Sequence, residues 1–236
     1  MRVHAICNVP YEGPALIGEW ASQRGHTLTQ ALALEGEFPP LDQTDLLVVM
    51  GGPMDADDEA ASPWLVAEKT YVRQAIDAHI PVLGVCLGAQ IIAEVLGGKI
   101  RRAEQPEIGW FPVGLTPHGC SEPLFALWPA TFIAAHWHYD TFDLPDGLQP
   151  ALSSNATANQ AFVFGDRVVG LQFHLEWTAE AVAALVENTD GEWPDGLYVT
   201  DVATMIDDAP LFVPVPATLL FELLDSLAEK VSGNAS

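Results

Sequence analysis

The chain has 236 residues, with Lys+Arg 9 against Asp+Glu 32 and a net charge of −23. Hydrophobic residues make up 49%, which excludes global disorder and supplies the core of one α/β domain, or of one domain with an appendage. So few cations exclude a basic nucleic-acid surface and disfavour an anionic membrane face; the only adjacent basic pair is Arg101-Arg102.

Arg2 to Val9 reads as a short buried strand that closes at Asn8 and Pro10. Pro14 to Arg24 carries Leu16, Ile17 and Trp20 at helical spacing and stops at Gly25. His26 to Leu34 is expected to be a second strand, with Pro39-Pro40 in the loop after it. Asp45 to Met50 is a continuous apolar run, the pattern of a strand covered on both faces, and it ends in Gly51-Gly52-Pro53. After the acidic Asp55, Asp57, Asp58 and Glu59, Ser62 is expected to cap a helix with Pro63 at its first position. Its apolar stripe is Leu65, Val66, Tyr71, Val72, Ala75 and Ile76.

Pro81 to Cys86 is another buried strand, and it runs directly into a helix from Leu87 to Leu96 that ends at Gly97-Gly98. Alternating strand and helix implies βαβ units and a mostly parallel sheet. From Lys99 to Gly170 short β-like runs alternate with turns, which predicts antiparallel strands beside that sheet. Gln160 to Phe164 and Val168 to Phe173 flank Gly165-Asp166-Arg167 as a hairpin. Thr178 caps a helix from Ala179 to Val186, with Glu180 in its first turn. Asp190-Gly191 and Trp193 to Gly196 read as loop, and Pro216 to Val231 as a final amphipathic helix. Residues 1–189 are expected to form the main domain and residues 190–236 an extension packed on it.

Cys7, Cys86 and Cys120 have no disulfide or zinc spacing, which is compatible with a reducing cytosol. The N-terminus does not read as a signal peptide, and no apolar run approaches about 20 residues. A soluble cytoplasmic protein is the expectation.

Gly84-Val85-Cys86-Leu87-Gly88 has the form of a nucleophile on a sharp strand-to-helix turn. The start of the helix favours negative charge on the sulfur, and the Leu87 amide points into the same space. His174 and Glu176 stand two apart, so on a strand they share a side, and Glu176 can orient the imidazole as base. Gly51-Gly52-Pro53 ends a buried strand, where glycine amides can approach an oxyanion closely. An isolated cysteine, an isolated H-x-E or an isolated GGP is more often structural; the combination carries the weight.

On the segments GGPMDADDE, PVLGVCLGAQ, EIGW, HWHYDTFDLP, NQAFVFGDRVVGLQFH and HLEW, from about Asp45 to Thr178, the sequence resembles the class I glutamine amidotransferases. The likeness is greatest to free-standing proteins similar to the amidotransferase domain of GMP synthase. The resemblance implies an open, mostly parallel sheet with helices on both faces, flavodoxin-like, plus an antiparallel extension. It implies that Cys86 attacks the glutamine carboxamide, that a γ-glutamyl thioester forms, and that glutamate and ammonia leave. It makes His174 the base, Glu176 its partner, and the Gly52 and Leu87 amides the oxyanion hole. Gly51, Gln90, His138 and Asp140 become substrate-proximal. His136 has no counterpart, and Leu175 stands where the family commonly has proline. No cofactor or metal is implied. No acceptor domain and no phosphate loop follow, so a synthase receiving the ammonia would be a separate chain. Two other readings stay open. One is a γ-glutamyl peptide hydrolase with an apolar leaving-group pocket near Trp110, Trp137 and Trp177. The other is a non-catalytic partner protein.

Overall fold

The first strand, β1 (Arg2–Cys7), leads through a loop into α1 (Ala15–Gln23), and the chain returns as β2 (Thr27–Leu32). The structure is a computed structural model that describes residues 1–189 and 193–232; the expected loop at Asp190-Gly191 lies outside these. After β2 come β3 (Leu46–Val49), α2 (Leu65–Asp77), β4 (Val82–Val85) and α3 (Leu87–Val95). The long strands β5 (Lys99–Leu115) and β6 (Thr131–Asp143) follow, then the short β7 (Leu152–Ser153), β8 (Ala161–Phe164) and β9 (Val168–Leu171). Three helices close the described chain: α4 (Ala179–Glu187), α5 (Val202–Phe212) and α6 (Pro214–Ser232).

Among the described residues these strands form one sheet in the order β2-β1-β3-β4-β9-β8-β7-β5-β6. Pairing is parallel from β2 to β9 and antiparallel from β9 to β6. The antiparallel extension therefore continues the sheet itself. Strand order reverses about β1, so the crevice opens at the carboxyl ends of the parallel strands.

Both faces are covered, which is why β3 and β4 read as unbroken apolar runs. Leu46 and Val48 face one way and pack with Ile17 and Trp20 of α1 and Leu220, Leu223 and Leu224 of α6. Leu47 and Val49 face the other way and pack with Val72 and Ala75 of α2 and Ile91 and Ile92 of α3. A third cluster seats α4 and α5 on β5 and β6, through Trp110, Trp177, Val182, Leu185 and Met205. Among the described residues no single helix is long and apolar enough to cross a membrane.

Local expectations hold or fail for identifiable reasons. The Thr178 side chain accepts from the Ala181 amide at 3.1 Å, as an N-cap should. Ser62 caps nothing: α2 begins at Leu65, and the Ser62 carbonyl accepts from the Leu65 amide at 3.0 Å in the entering turn. Val66 faces solvent at 57% exposure and leaves the apolar stripe. The second strand stops at Leu32, where Ala33–Glu35 turn as a 3-10 helix. The last strand stops at Leu171, short of Phe173. Helix α5 has no counterpart among the expected elements; Asp201 caps it by accepting from the Thr204 amide at 3.0 Å, and Pro210 sits inside it.

Candidate active site

Cys86 occupies the junction between β4 and α3 with φ 52 and ψ −108, a conformation that a non-glycine residue adopts only under constraint. Its neighbours explain the two glycines. A Cβ on Gly88 would lie 2.0 Å from the Val49 carbonyl oxygen, and one on Gly84 would lie 2.6 Å from the Gly88 backbone. Neither position tolerates a side chain, so the helix can start hard against β3 and β4. Parallel pairing of Val85 with Leu171 then places the segment after β9 beside the elbow. The Cys86 amide donates to the Leu171 carbonyl at 2.7 Å.

His174 stands beyond the end of β9, held by its amide donating to the Ala135 carbonyl of β6 at 2.8 Å. Its Nδ1 lies 2.7 Å from Glu176 Oε1, which leaves Nε2 for the Cys86 sulfur, with which the ring is hydrogen-bonded. The expected pairing is present, but His174 and Glu176 are not strand neighbours. Glu176 folds back, and its Oε2 also accepts from the Leu175 amide at 3.1 Å. A proline at 175 would have no N–H to give, so Leu175 adds a donor. Trp177 stacks on the imidazole, with centroids 3.8 Å apart at 19°. His174 and Glu176 are 2% and 1% exposed. Burial alone would lower the imidazole pKa. The charge of Glu176 and the hydrogen bonds to Cys86 and Glu176 outweigh it and raise it to about 10.

Gly52 and Leu87 both line a cavity of about 300 Å³ with Cys86 and His174. A Cβ on Gly52 would lie 3.0 Å from Leu87 Cδ2, so the two residues are close neighbours. Gly51 lies behind the cavity wall. A Cβ there would sit 2.6 Å from Glu12 Oε2, 3.5 Å from His174 Cε1 and 3.7 Å from Cys86 Cβ. Its absence of a side chain lets three groups converge. Gln90 lines the cavity and donates to Gln172 Oε1 at 3.2 Å and to the Asp140 carbonyl at 3.4 Å. Gln172 in turn donates to Cys86 Sγ at 3.7 Å.

His138 and Asp140 also reach the cavity. His138 Nδ1 is 3.0 Å from the Asp140 carbonyl. The Asp140 carboxyl lies 3.3 Å from Arg102 Nη1; burial raises its pKa, and Asp55 nearby raises it further against that cation. His136 is buried behind the cavity beside Glu107, and burial drives its imidazole down to about 3, so it is neutral at pH 7. Trp137 and Trp177 line the cavity, but Trp110 does not: its indole donates to the Met205 carbonyl beneath α5. Cys7 is buried, with its thiol pushed up to about 11 by burial and then by Glu12, and Cys120 is exposed.

Sequence reasoning missed Glu12, Gln172, Glu107 and the Trp177 stack. Glu12 lies in the loop after β1 at the cavity wall, and burial raises its carboxyl to about 7. Gln172 and Trp177 stand two and one residues from the H-x-E pair, and Glu107 opens EIGW, so motif proximity was the available signal.

The profile described as glutamine amidotransferase class-I matches residues 26–189. The chain is 34% identical over 213 residues to a glutamine amidotransferase-like protein, YfeJ, of Salmonella typhimurium, covering 87% of this chain and 89% of that one. It is 32% identical over 147 residues to a subunit of the glutamine-hydrolyzing GMP synthase of Sulfolobus acidocaldarius, covering 62% and 74%. The crystal structure of a glutamine amidotransferase from Thermotoga maritima superposes with a TM-score of 0.88 at 31% identity, over 97% of this chain and 98% of the other. An elbow cysteine at the mouth of a flavodoxin-like sheet thus sits in a chain that belongs to the class I glutamine amidotransferases.

Proposed function

We propose that the protein hydrolyses the side-chain amide of glutamine to glutamate and ammonia, with Cys86, His174 and Glu176 as its catalytic residues. The observation that carries this reading is the His174–Glu176 contact of 2.7 Å beside a strained Cys86. Cys86 Sγ, its proton already passed to His174 Nε2, attacks the carboxamide carbon. The oxygen becomes an oxyanion facing the Gly52 and Leu87 amides. His174 returns the proton to the departing nitrogen, the C–N bond breaks, and ammonia leaves a γ-glutamyl thioester. Water, deprotonated by His174, breaks the C–S bond to give glutamate and restore the thiol. Arg102 with Asp55, Asp140 and Glu12 supplies both signs of charge on the cavity wall, which suits the zwitterionic end of a free amino acid. The similarity to one chain of a GMP synthase supports delivery of the ammonia to a separate synthase chain.

A second reading rests on the aromatic wall. Trp137 packs edge-on to Trp177 and Trp193, with centroids 6.5 Å and 4.8 Å away. Such a wall fits a γ-glutamyl amide whose leaving amine is larger and apolar; the acyl chemistry is unchanged. The test is ammonia release from glutamine set against amine release from γ-glutamyl peptides, each with wild type and Cys86→Ala. Faster turnover of glutamine supports the first reading, and preference for peptides the second. Turnover of either substrate by Cys86→Ala would sink both.

A further inference from the structure

Behind the cavity, β5 and β6 pair with Glu107 opposite His138 and Gly109 opposite His136. Cross-strand partners and i, i+2 neighbours share a face, so Glu107, His136 and His138 converge. Their exposures are 0%, 0% and 3%. Glu107 Oε2 lies 3.2 Å from His138 Nε2, and Glu107 Oε1 lies 3.9 Å from His136 Nδ1. One donor atom from each of the three falls within 4.8 Å of the others. Glu107 Oε1, both His136 nitrogens and His138 Nε2 are buried without a well-aligned hydrogen bond, although the Phe111 backbone lies within reach of His136 and Glu107 lies 3.2 Å from His138 Nε2. Buried polar atoms are seldom left so, and this cluster concentrates four of them.

The orientation of His138 sharpens the point. Its Nδ1 is 3.0 Å from the Asp140 carbonyl, which can only accept, so Nδ1 carries a proton. Nε2 then faces the Glu107 carboxylate at 3.2 Å, a contact that calls for positive charge between them: a second proton on the ring or a bound metal ion. The surroundings resemble the outer partners of a metal site. A carbonyl fixes the His138 tautomer, and Gln160 Nε2 donates to Glu107 Oε2 at 2.6 Å.

We infer that Glu107, His136 and His138 form a binding site for one divalent transition-metal ion. Two imidazoles and a carboxylate suit zinc best. Tetrahedral ligands about 2.0–2.2 Å from zinc stand roughly 3.3–3.6 Å apart; the two Glu107 oxygens stand 3.2 Å from His138 and 3.9 Å from His136, and one donor atom from each residue falls within 4.8 Å of the others, so small side-chain shifts would close the set on an ion. The ion would lie behind the cavity wall, with His138 alone among its three ligands lining the cavity. It would pin the stretch of β6 whose Ala135 carbonyl accepts the His174 amide at 2.8 Å and whose Trp137 carbonyl accepts the Cys86 thiol at 3.7 Å. The inference is independent of the reaction assigned above.

The test uses the full chain, stripped with a chelator and with accessible thiols alkylated, because thiolates also bind zinc. Titration with Co²⁺ is expected to give visible bands of a tetrahedral nitrogen and oxygen site that saturates at one ion per chain and is displaced by Zn²⁺. His136→Phe and Glu107→Gln are each expected to weaken binding by more than about tenfold. If those variants do not fold, ¹⁵N histidine spectra of the wild type decide: Zn²⁺ should shift His136 and His138 and no other histidine. No cobalt bands, binding unchanged in both variants, or a proton on His138 Nε2 that persists with excess Zn²⁺ would overturn the site. The last result would make the cluster a buried imidazolium–carboxylate pair.

Discussion

The Cys86 sulfur and the His174 ring are held by different strands, and each depends on an atom with no room to move. Gly88→Ala would put a Cβ 2.0 Å from the Val49 carbonyl, so no folded chain is expected on size-exclusion chromatography. Cys86→Ala keeps the backbone and is expected to lower glutamine turnover by roughly 10⁴-fold or more. Glu176→Gln leaves Cys86 and His174 in place, and its loss should be about a hundredfold smaller. The same carboxylate gives stability a pH signature. His174 has a pKa of about 10 in the fold against an ordinary 6.5, so its proton stabilises the folded state fully below 6.5. That contribution is lost as pH rises through 10. Urea unfolding from pH 7 to 10 should therefore show falling stability, and Glu176→Gln should flatten the slope. An equal slope in the variant would contradict the Glu176 assignment.

At the scale of elements, the end of the described chain holds β5 and β6 in place. Helix α5 is bent by 61° from α6, and it starts on the Asp201 cap. Asp201→Ala should cost about 1 kcal/mol, a fall in Tm of about 2–4 °C by calorimetry, with glutamine turnover unchanged. The buried strands were legible because β3 and β4 are apolar on both faces, and α3 because its glycines end it sharply at Gly97 and Gly98. Helix α5 was obscured by Pro210, whose ring and missing N–H argue against a helix interior, though near the end of α5 that cost is bearable. Ser62-Pro63 carried a helix-start signal, but the helix follows the packing of Leu65 and Val72 instead. The site was partly legible for a related reason. Cys86, His174 and Glu176 announce themselves through local spacing. Glu12 and Gln172 matter only because β1 and β9 flank the same crevice, and that is tertiary information.

For the molecule as a whole, a net charge of −23 meets a core that holds carboxyls against their preference. Burial raises Glu68 to about 7 although Asn8 donates to it at 3.4 Å, and burial raises Glu12 to about 7 as well. Both have an ordinary value of 4.5, so the fold binds protons that the unfolded chain releases between 4.5 and 7. Stability should rise as pH falls through that window, and thermal melts from pH 8 to 5.5 will read it. Glu68→Gln, which keeps an acceptor for Asn8 without a charge, should flatten the trend and raise Tm at pH 8. Added salt should also raise Tm at pH 8, because it screens the acidic surface.

The proposed reaction depends on Cys86 as the nucleophile for a glutamine side chain. The most direct measurement is peptide mass spectrometry after exposure to a diazo-ketone analogue of glutamine, with and without excess glutamine. Modification is expected at Cys86, with glutamine protecting it, and none at Cys7 or Cys120. Modification that glutamine does not slow, or that falls on Cys7 or Cys120 while Cys86 stays free, would contradict it.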